Sequence, residues 1–299
     1  MLGMQGLRRI AGRVYLLQGS PNTVIVADSG RAVVVDPGIG GDRSTRVLKA
    51  LEELGLGLEA LVLTHGHSDH LAAAAGLEAL VYASRLCLGL VESSGLRRLA
   101  VYGGLVSEQL ASMPLAEVKV DRPVEPRGSL PGGLRALALP GHTPGHMGVV
   151  DDESMVVVAG DAVLGERVLV RFGVPFAADL EEWARSLEKL RELAEEGYTL
   201  VPGHGPVARG RRAVSMVEAN LAAVERVRGF VLEKLREKPL TLDRLAYLAT
   251  VSLGSAEPTP RQLLLNRTAL ASVLAWLERE GLAEPVAAEE GVAWRARNR

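Results

Sequence analysis

Thr64-His65-Gly66-His67-Ser68-Asp69-His70 is the stretch on which the reading of this chain turns. The six residues from His65 to His70 hold three imidazoles and one carboxylate, side chains that bind divalent cations such as zinc or iron. The run before it, Leu58-Glu59-Ala60-Leu61-Val62-Leu63, predicts a short buried strand. The Ala-rich run over residues 71–75 predicts the start of a helix. The ligand-type residues therefore fall on a strand-to-helix loop, where a rigid scaffold commonly places chemistry. Packing alone gives no reason to crowd four such side chains together.

The other histidines repeat the pattern. The chain has six in all, and the remaining three are His142, His146 and His204. Strand character over residues 134–139 runs into Pro140-Gly141-His142-Thr143-Pro144-Gly145-His146. A short strand over residues 199–201 runs into Pro202-Gly203-His204-Gly205-Pro206. Asp161 likewise ends a predicted strand, after Ala159-Gly160. Ligand-type residues at the ends of several strands predict convergence on one edge of a sheet structure.

Composition narrows the chemistry. The 299 residues, 47% apolar and 23% charged, suffice for one large domain or a medium one with a small companion. A net charge of −2 gives no overall pull toward nucleic acid or an anionic membrane. The single cysteine, Cys87, excludes an internal disulfide and a multi-cysteine zinc site, so any metal must be held by His and carboxylate. Cys87 itself reads as a small buried apolar residue. Residues 1–12 carry Arg8 and Arg9 without the apolar core of a signal peptide. No apolar stretch approaches the roughly 18 residues of a membrane span. These features predict a cytoplasmic protein with no membrane partner.

Other elements follow from periodicity. Strands are expected over residues 14–17, 22–27 and 31–35, the last two joined as a hairpin by Asp28-Ser29-Gly30. Val47, Leu48, Leu51 and Leu54 mark a helix over residues 43–54, stopped by Gly55. A further strand is expected over residues 77–83. Residues 85–115, broken by several glycines and by Met113-Pro114, read as short helices that cap the site. Asp151-Asp152-Glu153-Ser154 reads as a hairpin turn, and Asp179 as the N-cap of a helix over residues 180–193. After Gly210 the pattern turns helical. One long helix, or two broken near Gly229, covers residues 211–238, and further helices cover residues 240–249 and 260–280. A small hairpin turning at Glu289-Glu290-Gly291 closes the chain.

On these residues the chain resembles a member of the metallo-β-lactamase superfamily, on its glyoxalase II-like side. The matching pieces are His65-Gly66-His67-Ser68-Asp69-His70, Gly141-His142-Thr143-Pro144-Gly145-His146, Gly160-Asp161 and Gly203-His204-Gly205, in the family's order. The resemblance covers about residues 12–208 and implies an α+β fold, a four-layer αββα sandwich with the metals in loops at one edge. It implies that His65, His67 and His142 hold a first metal, that Asp69, His70 and His204 hold a second, and that Asp161 bridges them. Two divalent metal ions per chain are expected, zinc foremost, with iron or manganese as alternatives. Asp69 would also orient or shuttle a proton. His146 is expected outside the metal shell, and Asp36 as a support for the ligand loops. The histidine at position 67 argues against the oxygen-reducing diiron branch, which usually has an acid there.

The chain is thus expected to divide into a catalytic domain, residues 1–210, and a helical, winged-helix-like domain, residues 211–299. The resemblance implies a binuclear hydrolase in which a metal-bridging hydroxide attacks an ester, thioester or lactone. One alternative is a metal-dependent endoribonuclease whose C-terminal domain guides single-stranded RNA. Another is a mononuclear iron sulfur dioxygenase. A binding protein with a vestigial site is a further reading. Arg261, Gln262, Asn266 and Arg267, at the start of the last long helix, are placed to face outward toward nucleic acid, with Arg295, Arg297 and Arg299 adding charge. The region is only mildly basic, which favours pocket closure or dimerisation, as a homodimer, over nucleic-acid binding. A small-molecule substrate is the expected partner.

Overall fold

Alternation along the strands builds this fold. In the computed structural model, which describes residues 6–104, 106–111, 115–254 and 257–297, two β-sheets stack face to face. Met113-Pro114 and Arg299 lie outside the described residues. The first sheet runs in chain order: β1 (Leu7–Ala11), β2 (Val14–Leu17), β3 (Thr23–Asp28), β4 (Arg31–Val35), β5 (Gly57–Leu63), β6 (Leu80–Ser84) and β7 (Arg122–Val124). Its first four strands are antiparallel and β4 to β7 are parallel. The second sheet has the order β12-β11-β10-β9-β8, from β8 (Ser129–Leu130), β9 (Leu134–Ala138), β10 (Met147–Asp151), β11 (Val156–Gly160) and β12 (Thr199–Pro202).

Successive side chains on a strand point to opposite faces. Val24, Val26, Val33, Val35 and Val62 accordingly meet Met147, Val149, Val156 and Val158 between the sheets. Their neighbours Ile25, Val34, Leu61 and Leu63 point the other way, onto helix α1 (Arg43–Leu54) through Val47, Ala50 and Leu51. On the far side, Val150, Val157 and Ala159 meet Trp183, Leu187 and Leu190 of helix α7 (Leu180–Glu195). Helix, sheet, sheet and helix thus follow one another in layers. Both sheets are buried on both faces, which explains why their strands read as near-continuous apolar runs.

The helices of the ligand side are short. Helix α2 (Ser68–Leu71) starts inside the histidine motif, three residues earlier than the sequence pattern placed it, and tightens into a single turn over Ala72–Gly76. Asp69 and His70 thus lie on a helical turn rather than in a loop. Residues 85–111 form α3 (Leu88–Glu92), α4 (Ser94–Tyr102) and α5 (Glu108–Ala111), the broken pattern expected there. Helix α6 (Glu166–Phe172), β1, β7 and β8 were not read from the sequence.

Beyond Gly210 come α8 (Arg211–Glu237), α9 (Leu242–Leu253) and α10 (Pro260–Arg279), with a small sheet of β13 (Leu240–Thr241), β15 (Gly291–Ala296) and β14 (Ala283–Ala288). Helix α8 runs unbroken through Gly229. The β14–β15 turn falls at Glu289-Glu290, as expected, but β13 adds a third strand. One apolar core continues from Val157 and Trp183 through Val217 and Val224 of α8 to Leu245 of α9 and Leu270 of α10. Buried Asn220 of α8 also crosses this boundary. Its side chain accepts from the Leu164 amide at 2.9 Å and donates to the Leu164 carbonyl at 2.8 Å. This clamps the loop that follows Asp161.

The expectation that Arg261, Gln262, Asn266 and Arg267 face outward holds for Arg261, which is exposed, and is corrected for Gln262 and Asn266. Gln262 and Asn266 are buried, with the Gln262 amide donating to Asn266 Oδ1 at 2.8 Å and Asn266 donating to Thr250 Oγ1 at 2.7 Å. Buried amides need partners, and these find them in one another and in α9.

Replacing Asn220 by Ala is expected to strand both Leu164 backbone groups. The cost should be about 2–4 kcal/mol in urea unfolding, from two buried groups losing their partners.

Candidate metal centre

Every candidate ligand follows the end of a strand. His65 and His67 follow β5, His142 follows β9, Asp161 follows β11 and His204 follows β12. The structure brings all seven sequence-predicted residues to one edge of the sandwich, in two groups. His65, His67, His142 and Asp161 form one, with a ligand-type atom from each within 4.8 Å of the others. Asp69, His70 and His204 form the other under the same limit. Asp161 lies between them. One of its oxygens is 3.5 Å from His70 Nε2, and the other is 3.5 Å from His142 Nε2 and 3.7 Å from His204 Nε2.

Hydrogen bonds from behind fix the rings. Asp36, which follows β4, accepts from the Thr64 amide at 2.8 Å, the Thr64 hydroxyl at 2.7 Å and His70 Nδ1 at 2.8 Å. These bonds outweigh a left-handed backbone at Asp36 (φ 49°), which costs roughly 1–2 kcal/mol for a residue with a Cβ. Asp36, His65 and His70 also lie within 4.8 Å of one another, but the Asp36 oxygens are already taken. Asp36 therefore supports the ligand loop rather than facing a metal. The Phe176 carbonyl holds His142 Nδ1 at 2.9 Å, and Ser20 Oγ holds His204 Nδ1 at 2.8 Å. His146 accepts from the Asp161 amide at 3.2 Å, and its ring stacks on His65. It braces the backbone of the candidate bridging residue. Buried Arg97 of α4 donates to Ser68 Oγ at 2.9 Å and so pins the start of α2.

Sequence reasoning left Ser20, Thr64, Arg97 and the Phe176 carbonyl without roles. Thr64 was quoted but unassigned. Ser20 stood in a Gly19-Ser20-Pro21 turn that carried only a backbone meaning. A main-chain carbonyl leaves no residue-type signal at all.

The donor set fits divalent cations. Nε2 of His65, His67 and His70 and Oδ1 of Asp161 are buried without a hydrogen bond. An unpartnered buried polar atom is costly, and a cation among these atoms would satisfy all of them. Close approach also explains one glycine. A Cβ on Gly203 would lie 2.3 Å from Asp161 Oδ1 and 2.5 Å from His70 Cε1, inside the space between the two groups.

Electrostatics favours the ligating form at some of these groups and the charged imidazolium at two others. Burial holds His65, His142 and His146 below the ordinary imidazole value and lowers His67 to about 3, so these rings are neutral at pH 7. For His70 burial acts in the same direction, but Asp161, Asp36 and Asp69 outweigh it and raise its pKa. His204 is raised chiefly by Asp161. Burial would raise Asp161, yet His204, His70 and His142 hold it well below the usual carboxylate range. Cys87, away from this chemistry, is buried and its thiol is pushed up to about 12.

A cavity of about 610 Å³ opens over the cluster. His67, Asp69, His142, Asp161 and His204 reach it from the sandwich, Arg167 and Phe172 from α6, and Arg261, Gln262 and Leu265 from α10. Phe172 lines it, whereas Tyr102 is buried against Phe176, Leu264 and Leu265.

In the metal-free protein, lowered His65, His67, His142 and His146 take up protons on unfolding below about pH 6.5. Stability should therefore fall as pH drops from 6.5 toward 4. Raised His70 and His204 release protons on unfolding above pH 6.5, so stability should also fall, more gently, as pH rises through their folded values. Thermal melts of chelator-treated protein should show a maximum near pH 6.5 with the steeper flank on the acid side. A melting temperature that rises between pH 6.5 and 5 would contradict this charge assignment.

Residues 16–204 match the family described as the metallo-beta-lactamase superfamily. The chain is 30% identical over 235 residues to "Probable metallo-hydrolase YflN" of Bacillus subtilis, covering 70% of this chain and 86% of that protein. It is also 30% identical over 190 residues to "Hydroxyacylglutathione hydrolase GloC" of Haemophilus influenzae, covering 61% of this chain and 84% of the relative. A solved beta-lactamase domain protein from Burkholderia ambifaria superposes with a TM-score of 0.72 at 18% identity, over 99% of this chain and 95% of that one.

Proposed function

The chain belongs to the metallo-beta-lactamase superfamily and is a metal-dependent hydrolase, and we propose that it cleaves a small ester, thioester or lactone, the thioester foremost. Four buried ligand atoms without hydrogen bonds, arranged about Asp161, carry this reading. The name of the Haemophilus influenzae relative, a hydroxyacylglutathione hydrolase, supports the thioester. In this proposal His65, His67 and His142 would hold one divalent ion and Asp69, His70 and His204 a second, with Asp161 available as a ligand to either. Imidazole and carboxylate suit zinc, with iron or manganese as alternatives. Such ions, when bound, supply a water acidified toward neutral pH and a Lewis acid for the developing oxyanion.

The chain's own groups do the rest. His67 and His142 are neutral and keep their lone pairs for a cation. Asp69 is the more open of the two acids, with 32% of its side chain exposed against 7% for Asp161. It lines the cavity and accepts from His204 Nε2 at 3.1 Å. It is the acid placed both to hold an ion and to move a proton when substrate enters. Val101, Leu164 and Phe176 present apolar surface around the entering acyl group and exclude water.

Residues 1–210 form the catalytic domain in this proposal, and residues 211–299 a winged-helix-like domain. Three helices followed by the β14–β15 hairpin support the second assignment. Its role at this site is to close the cavity, since α10 contributes Arg261, Gln262 and Leu265 to the wall. A cytoplasmic location agrees with the finding that no described helix is long and apolar enough to cross a membrane.

The test is a panel of acyl thioesters, esters, lactones and a short fluorogenic single-stranded RNA, assayed with zinc-loaded protein beside Asp161→Asn. Thioester hydrolysis should fall at least about 10³-fold in kcat/KM in the variant, the scale on which loss of a central electrostatic group acts. RNA cleavage alone, lost in the same variant, would replace the thioester reading with phosphodiester hydrolysis. Equal thioester activity in both proteins would sink the metal mechanism.

A further inference from the structure

The cavity over the metal cluster carries a charge pattern that hydrolysis alone does not need. Its two carboxylates, Asp69 and Asp161, face the histidines. Its other charged groups are three exposed arginines, Arg167 and Arg171 on α6 and Arg261 at the start of α10. Among the described residues none of the three forms an ion pair with a carboxylate. The Arg171 guanidinium lies over the ring of neighbouring Phe172, at 5.3 Å. Two elements far apart in sequence thus bring free guanidinium groups to one opening. The same cavity is lined by apolar Leu164, Leu169, Phe172 and Leu265.

We propose that Arg167, Arg171 and Arg261 form an oxyanion-binding subsite, and that the substrate is an acyl thioester with an apolar body and a carboxylate or phosphate at its far end. Planar guanidinium groups match both oxyanions in geometry and charge. An apolar cavity of this volume with a few convergent polar groups fits a small amphipathic molecule. The three arginines would fix such a substrate by its head and leave its acyl carbon beside Asp69 and Asp161. Hydrolysis then adds water across the acyl C–S bond, giving a carboxylic acid and a thiol. The inference rests on the hydrolase reading above, and it also gives the region after Gly210 a direct part in recognition through Arg261.

Direct binding separates this proposal from the hydrolase reading. Octane-1-sulfonate, an anion that coordinates metals weakly, and neutral 1-octanol are titrated calorimetrically into the metal-loaded full chain. The same titrations are run on Arg261→Gln and on Arg167→Gln/Arg171→Gln. The sulfonate should bind at least about tenfold more tightly than octanol, and each variant should lose most of that difference. Equal binding of the two probes, or no effect of the substitutions, would overturn the subsite. S-ethyl thioesters of octanedioate, of 8-phosphooxyoctanoate and of 8-hydroxyoctanoate, which carry the head at the far end of an apolar body, then identify the head. The preferred anionic thioester should show the lower KM, and Arg261→Gln should raise that KM about tenfold more than it raises the neutral one. A neutral thioester with the lowest KM would count against the proposal. So would displacement of the sulfonate by single-stranded RNA but by neither anionic thioester. Arginine-dependent sulfonate binding with no thioester hydrolysed would retain the subsite and remove the thioester as substrate.

Discussion

Asp36 is the residue on which the order of the site depends. Its carboxylate is buried at the end of β4 and accepts three hydrogen bonds, two from Thr64 and one from His70. Thr64 is the last position before the histidine motif, and His70 is its final member. One side chain therefore fixes both ends of the segment that carries four of the seven candidate ligands. It also orients His70, because with Nδ1–H held by Asp36 the ring has only Nε2, on the Asp161 side, to offer a cation. Bonds to an ionised acceptor are among the stronger ones in proteins, and they suffice to hold Asp36 in a left-handed conformation. Asp161 depends on a similar brace, since His146, just before the neighbouring strand β10, holds its amide.

Much of this was legible in the sequence for a physical reason. Buried strands alternate or run apolar, and six histidines beside glycine or proline at strand ends have few explanations other than convergence. The ligand motifs therefore located both the sheets and the edge where they meet. The support of Asp36 for the ligand loop was also expected, and its hydrogen bonds agree. What remained hidden had no residue-type signature. The Phe176 carbonyl, Ser20 and Arg97 act through contacts between positions far apart in sequence, the last two between side chains that pattern reading assigns to turns and surfaces. Helix α6 is about two turns long and has Gly165 rather than an Asp or Ser as its N-cap, so nothing announced it. Gln262 and Asn266 were misplaced because polar residues at the start of a helix ordinarily face water. Here the start of α10 turns inward, and the two amides satisfy each other.

The helical region after Gly210 is joined to the sandwich energetically as well as covalently. Trp183 of α7 and Val217 of α8 belong to one continuous core, and Asn220 takes both backbone groups of Leu164, three residues past Asp161. A disturbance in α8 would thus reach the loop behind the candidate bridging carboxylate. From the other side, α10 supplies part of the cavity wall. A catalytic edge that is nearly the same throughout a superfamily can acquire different substrates when different elements are packed over it.

The central claim is that the buried imidazoles and carboxylates exist to hold metal, and metal content tests it most directly. Protein purified, dialysed against buffer with a weak chelator and analysed by plasma mass spectrometry should retain about two divalent ions per chain, as expected for closed His/carboxylate sets. The His204→Ala protein should retain about one. Failure of the intact chain to retain any divalent ion after reconstitution with zinc, iron or manganese would contradict the account.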